Sequence, residues 1–284
     1  MADNPHTVKR GELDVIQIDN AACSAEISLF GGHILQWQPS GQKPVLWMSD
    51  DAIYDGKTAL RGGIPVCWPW FGPVDGKGRH GLVRNLSWQL SDFQETGNAT
   101  YVELSLQLTE QQNPWPHPNN ITMKITFGET LLQSLIISNA SDKPQCFAFA
   151  LHNYLQVSNP ATVKIPLLAN CFFEDKVTGQ QQQLEDRDTL PTGYAGPLDR
   201  IYHSDDSVEL IDTEWQRIIR IDKQNSQQWV VWNPGNEDAK SMIDLHDNGE
   251  TQFLCVETAN TTDLVLEPEE SRVISQTISI RTPY

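Results

Sequence analysis

Apolar and polar residues alternate with a period of two along much of this chain. Val102, Leu104, Leu106 and Leu108 are interleaved with Glu103, Ser105, Gln107 and Thr109, and Ile121, Met123, Ile125 and Phe127 with Thr122, Lys124 and Thr126. A strand sends successive side chains to opposite faces, so these runs predict strands with one face in a core and the other in water. Shorter runs at residues 15–18, 25–30, 132–137, 163–167, 217–221, 229–232, 253–256 and 273–280 predict further strands. Turn formers separate them, among them Gly31-Gly32, Ser40-Gly41, Gly97-Asn98, Asn233-Pro234-Gly235 and Asp247-Asn248-Gly249. With no sustained apolar stripe at helical spacing, the pattern predicts an all-β fold, a large antiparallel β-sandwich. Two longer pieces, residues 49–77 and 186–207, read as irregular and are rich in Gly, Pro, Trp and Tyr. Loops of that length inside a compact domain usually carry function. The four glutamines at 180–183 read as a surface loop.

At 284 residues, without an internal repeat or a break in composition, the chain is expected to form one domain over residues 13–284 after a polar segment at 1–12. No run approaches the roughly 18 apolar residues of a membrane-spanning helix, and the first dozen residues carry no signal-peptide pattern. The five cysteines are scattered without a CxxC pair, which fits reduced, packed thiols in a cytoplasm better than disulfides or a metal site. Twenty basic residues stand against 37 acidic ones, for a formal charge of -17, which disfavours nucleic acid and anionic membranes as partners. Because salt screens charges beyond about 8 Å, a few arginines in one place can still hold an anion locally. A monomer is the expected state.

Four segments carry candidate chemistry. Arg61-Gly62-Gly63-Ile64-Pro65 precedes Cys67-Trp68-Pro69-Trp70-Phe71-Gly72-Pro73, where glycines permit close backbone approach and flat rings suit the C–H faces of a sugar. An ordinary aromatic-packed turn has the same composition. Arg79-His80-Gly81-Leu82-Val83-Arg84-Asn85 supplies planar donors that, with Arg61, could fork a phosphate, although a solvated basic loop is equally consistent with it. His152 sits near the end of the apolar run 147–151, and Glu257 closes the apolar run 253–256. A lone histidine there is more often a core residue, whereas a carboxylate in such a place is rarely without purpose. Together the two suit hemiacetal opening: a base takes the proton of the anomeric hydroxyl and an acid protonates the ring oxygen. Ordinary pKa values make Glu the natural base and His the natural acid. The reaction calls for no metal, nucleotide or other cofactor.

The blocks Trp47-Met48-Ser49, Arg61-Gly62-Gly63-Ile64-Pro65, His80-Gly81-Leu82-Val83-Arg84-Asn85, Leu151-His152-Asn153-Tyr154, Asp199-Arg200-Ile201-Tyr202, Val231-Trp232-Asn233-Pro234 and Val256-Glu257 occur in that order. In this the chain resembles the glucose-6-phosphate 1-epimerases, or hexose-6-phosphate mutarotases, of the aldose 1-epimerase superfamily. The resemblance implies a β-supersandwich with an open cleft and a hexose phosphate as small-molecule substrate. It assigns His152 as acid, Glu257 as base, Arg61 and Arg84 to the phosphate and Asp199 to sugar hydroxyls, with Arg79 and His80 as further pocket residues. Two departures stand out: Lys77-Gly78-Arg79 replaces the Leu-Pro that often precedes the His-Gly pair, and Thr258-Ala259 replaces the Pro-Gly that often follows the base. The competing readings are a binding or regulatory module without turnover, a mutarotase of unphosphorylated aldoses, and a glycoside hydrolase pairing Glu257 with Asp175, Glu185 or Asp199.

Overall fold

The computed structural model describes residues 5–110, 115, 117–182 and 193–283. His6–Arg10, Leu13–Asp19, Cys23–Ser28 and His33–Pro39 form a four-stranded sheet in chain order. A seven-stranded sheet runs Val208–Asp212, Arg217–Gln224, Ser271–Arg281, Leu131–Asn139, Asn119–Phe127, Ala99–Leu108 and Gln89–Thr96. An eight-stranded sheet runs Gln180–Gln182, Phe173–Asp175, Leu198–His203, Gln228–Asn233, Phe253–Leu266, Gln145–Leu151 and Val66–Cys67, with Tyr154–Gln156 also paired to Phe253–Leu266. Pairing within these sheets is antiparallel.

The period-two reading holds residue by residue in Asn119–Phe127. Ile121, Met123, Ile125 and Phe127 are buried and join Val102, Leu104, Leu135, Ile274, Phe147, Phe149, Leu254 and Val256 in one core fed by both large sheets. One polar interruption stands out. Gln133 and Gln276, opposed in register on neighbouring strands, point into this core, where Gln276 meets Asn153 and Thr258. All four are essentially inaccessible to water, so their mutual hydrogen bonds have no aqueous substitute.

Several expectations fail locally. Residues 163–167 are not a strand: Lys164 makes a single bridge to Ile211, and Pro166–Asn170 is a 3-10 turn. Pro166 lacks an N–H and has a fixed φ, which suits the first helical position and not a ladder. Gln180–Gln182 is an edge strand and not a loop, folded back on Phe173–Asp175 by a turn whose N–H groups at Val177 and Thr178 are held by Asp175. Gln183 lies outside the described residues. The irregular stretch 49–77 contains Val66–Cys67 and a short ribbon of Pro73–Val74 paired with Gly78–Arg79. Of 186–207, residues 186–192 lie outside the described residues, and Leu198–His203 is an interior strand of the eight-stranded sheet. Its charges concealed it: Arg200 lies over the Phe173 ring, 4.4 Å from the centroid, and pairs with Asp175 at 3.0 Å. At the N-terminus, the polar His6–Arg10 pairs with Leu13–Asp19; an edge strand open to water tolerates polar residues on both faces.

Candidate active site

Strand register builds the floor of a cleft on the eight-stranded sheet. Glu257 lies opposite Val230, Val230 opposite Ile201, and Ile201 opposite Glu174, forming one row across four strands. Two residues along, Cys255, Trp232 and Asp199 form a parallel row. Directly opposed residues share a face, so both rows look the same way. Val256 and Thr258, on either side of Glu257, point instead into the inter-sheet core.

His152 comes from the end of the adjacent strand Gln145–Leu151, its N–H donating to the Pro65 carbonyl. Asn153 anchors this point, its Nδ2 donating to the Val256 carbonyl at 2.9 Å and to Gln276 Oε1 at 2.9 Å. The result places His152 Nε2 3.3 Å from Glu257 Oε1. Both residues are buried, yet His152 Nδ1 and Glu257 Oε2 have no protein partner. Burial raises the Glu257 pKa well above the ordinary carboxylate value, with Asp199 adding to the rise and Arg84 opposing it. Burial lowers that of His152, helped by the positive charges of Arg84 and Arg61. Each group is thus pushed toward its uncharged form.

A basic wall stands beside this pair. Arg61 Nε and Nη2 donate to Asp244 Oδ2 and Oδ1 at 3.2 and 3.3 Å, and its Nη1 donates to the Tyr154 hydroxyl at 3.0 Å. Arg84, in the 3-10 turn Val83–Asn85, donates through Nη2 to the Arg79 carbonyl at 2.8 Å, while its Nε has no protein partner. Arg79 itself is exposed at the mouth. His80 has a left-handed backbone, φ 59°, and its Nδ1 accepts the Gly72 N–H at 3.3 Å, which leaves Nε2 as the donor. Burial and then Arg84, Arg79 and Arg61 push the His80 pKa down to about 3, so its ring is neutral. The next residue must be glycine: at Gly81, φ 74°, a Cβ would lie 1.9 Å from the Trp68 carbonyl oxygen.

All seven residues singled out in the sequence, Arg61, Arg79, His80, Arg84, His152, Asp199 and Glu257, line one cavity of about 590 Å³. A second cavity of about 430 Å³ adjoins it, walled by Arg61, Lys77, Arg79, Arg84, Asn85 and Asp244. Asp199, its pKa raised by burial against the opposing charges of Lys176 and Arg79, lines the same cavity. The aromatic patch is only partly a sugar platform: Phe71 faces the cavity, but Trp68 is buried against Trp115 and Phe147, and Trp70 is buried as well. Trp232, Tyr154, Glu174, Lys176 and Met242 also line the cleft and were not singled out. Trp232 and Tyr154 stood inside recognised blocks; nothing near Asp244 in the sequence marks it as the partner of an arginine 183 positions away. Of the carboxylates proposed for glycoside hydrolysis, Asp199 shares the cavity with Glu257, whereas Asp175 is used by its turn and Arg200, and Glu185 lies outside the described residues.

The family model for aldose 1-epimerase matches residues 14–279. Among relatives, a protein of Escherichia coli K12 named "Putative glucose-6-phosphate 1-epimerase" is 35% identical over 257 residues, covering 88% of this chain and 84% of that one. A protein of the same name from Salmonella typhimurium is 34% identical, with 95% and 91% covered. The crystal structure of "a putative mutarotase" from Salmonella typhimurium superposes with a TM-score of 0.90 at 31% identity, covering 98% of this chain and 93% of that one. A galactose mutarotase-like protein of Clostridium acetobutylicum, at 12% identity and TM-score 0.77 over 98% and 99%, shares the fold.

Proposed function

The chain belongs to the aldose 1-epimerase family, and we propose that it interconverts the α and β anomers of a hexose 6-phosphate, with glucose 6-phosphate as the leading substrate. The observation that carries this reading is the 3.3 Å approach of His152 Nε2 and Glu257 Oε1 in a cleft walled by Arg61 and Arg84. The anomeric hydroxyl and the ring oxygen are both bonded to C1, so their acid and base must be immediate neighbours. Glu257 as carboxylate takes the hydroxyl proton while His152 as imidazolium protonates the ring oxygen, and the C1–O5 bond breaks. Rotation about C1–C2 presents the other face of the aldehyde, and reclosure returns both protons.

Burial has a defined effect on this cycle. Opening converts carboxylate and imidazolium into carboxylic acid and neutral imidazole, the two forms that desolvation favours. Relative to the ionised pair that precedes it, the buried site therefore favours the open-chain intermediate with its neutral pair. Arg61 and Arg84 support recognition of the phosphoryl group on C6, which is attached at C5, next to the ring oxygen that His152 serves. Arg79 stands where it can join them, His80 offers a neutral N–H donor, and the Asp199 carboxylate suits sugar hydroxyls. The free thiols suit a reducing compartment such as the cytoplasm.

The test is the anomerisation rate of pure α-glucose 6-phosphate, followed by polarimetry or NMR exchange, with free glucose and galactose alongside. His152→Ala and Glu257→Gln should each lower kcat by about 10²- to 10⁴-fold. Arg61→Ala and Arg84→Ala should raise KM for the ester far more than for free sugars. Acceleration of free sugars alone would reassign the substrate, and acceleration of none would leave a binding module.

A further inference from the structure

Tyr154 touches both ends of the site. Its ring lies face to face with the His152 imidazole, with centroids 4.8 Å apart and planes 10° from parallel. Its hydroxyl accepts the 3.0 Å hydrogen bond from Arg61 Nη1. The residue is 3% exposed, and its own position is fixed twice over by backbone hydrogen bonds, its N–H donating to Gly63 and its carbonyl accepting from Trp47, both at 2.9 Å. The rings of Trp47 and Phe253 pack against it at 6.0 and 5.1 Å.

A working histidine is commonly oriented by a hydrogen bond on the nitrogen remote from the chemistry. His152 has none: Nε2 faces Glu257, and the buried Nδ1 has no protein partner. Among the described residues, Tyr154 is the ring that lies flat against the imidazole, since His80 and Trp232 meet it edge-on at 76° and 75°. The phenol face therefore bears directly on the plane of the acid. The same phenol carries one of the three donor positions by which Arg61 is held, the other two being taken by Asp244.

We propose that Tyr154 is a positioning residue that couples the phosphate-binding end of the cleft to the acid catalyst: its ring fixes the His152 plane and its hydroxyl seats Arg61. The proposal rests on Arg61 being a phosphate ligand, as argued above. Interactions with a remote, non-reacting group raise turnover only if they are transmitted to the reacting atoms, and Tyr154 is the shared side chain through which that can occur.

The two functions separate by substitution. Tyr154→Phe keeps the stacking face and loses the hydroxyl, so its loss should fall on KM for the ester, by up to about tenfold because Asp244 still holds Arg61. Tyr154→Leu loses the face, and kcat should drop about 10²-fold for the ester and for any free sugar turned over, the size expected of a misaligned acid. A residue needed only for packing would lower thermal stability in both variants without dividing KM from kcat. An activity-independent readout accompanies the kinetics. The ring protons of His152, shielded by the phenol face, should resonate upfield in wild type and Tyr154→Phe and move downfield in Tyr154→Leu. Titration with inorganic phosphate should shift these signals in wild type much more than in Tyr154→Phe. Retention of kcat within threefold in Tyr154→Leu, or His152 signals indifferent to both substitutions, overturns the proposal. If wild type accelerates no sugar phosphate while its His152 signals still respond to phosphate only through an intact Tyr154, the coupling stands and the assigned reaction is what fails.

Discussion

Replacing Gln276 by Leu removes the centre of the buried network behind the segments that carry His152 and Glu257. Gln276 Nε2 donates to Gln133 Oε1 at 2.9 Å and to Asn153 Oδ1 at 2.7 Å, and its Oε1 accepts from Asn153 Nδ2 and Thr258 Oγ1, each at 2.9 Å. Leucine would leave three groups orphaned: the Gln133 and Asn153 carbonyl oxygens and the Thr258 hydroxyl. Asn153 Nδ2 retains the Val256 carbonyl. Each orphan costs about 1–3 kcal/mol. Burying leucine returns about 1.5–3 kcal/mol, so a net loss of about 3 kcal/mol is expected. For a protein of this size, with an m-value near 3 kcal/mol/M, that corresponds to a fall of about 1 M in the urea midpoint. Equilibrium unfolding followed by tryptophan fluorescence measures it, and a double-mutant cycle identifies the cause. Thr258→Val should destabilise the wild-type background, yet in the Gln276→Leu background it removes an orphan and should recover about 1 kcal/mol. A loss below about 0.5 kcal/mol for Gln276→Leu, or an equal cost of Thr258→Val in both backgrounds, would refute the accounting.

Two pH effects follow from the same burial. If His152 and Glu257 act as proposed, the pair works while it holds one proton, and burial moves the acid limb of kcat/KM below the ordinary imidazole value and the basic limb above the ordinary carboxylate value. Since the Asp199 charge raises Glu257, Asp199→Asn should shift the basic limb to lower pH, and a pH–rate profile in which that limb stays or rises would contradict this. His33 is fully buried, its Nε2 bonded to the Gly62 carbonyl at 2.8 Å, and burial pushes its pKa down to about 4. Below the ordinary value of about 6.5 the unfolded chain takes up a proton that the folded one refuses, so folding should lose up to about 3 kcal/mol between those values. His33→Gln should flatten that part of the stability–pH curve; an unchanged slope would show that His33 is not its source.

The chain's own alternation was enough to determine an antiparallel β-fold and its core, because burying every second residue is a local property of a strand. It also marked His152 and Glu257, since titratable groups closing apolar runs are anomalous in isolation. The convergence of Arg61, Arg84 and Asp199 was reached through resemblance, and only strand register and loop closure bring them around one cavity. Where the sequence misled, charge or composition hid a partner. Leu198–His203 looked like loop because Arg200 and Asp199 are charged, yet Arg200 is paired and stacked and Asp199 faces the cleft. The tryptophans of the 67–73 segment looked like a platform, but two of its three large rings went to the core. The clearest division falls at Tyr154, Asp244 and Gln276. Nothing local distinguishes a phenol that stacks on a catalyst, a carboxylate that holds an arginine, or an amide that ties two sheets together. Those roles depend on which distant residue arrives within about 3 Å, the range of a hydrogen bond, and that is set by the packing of whole sheets.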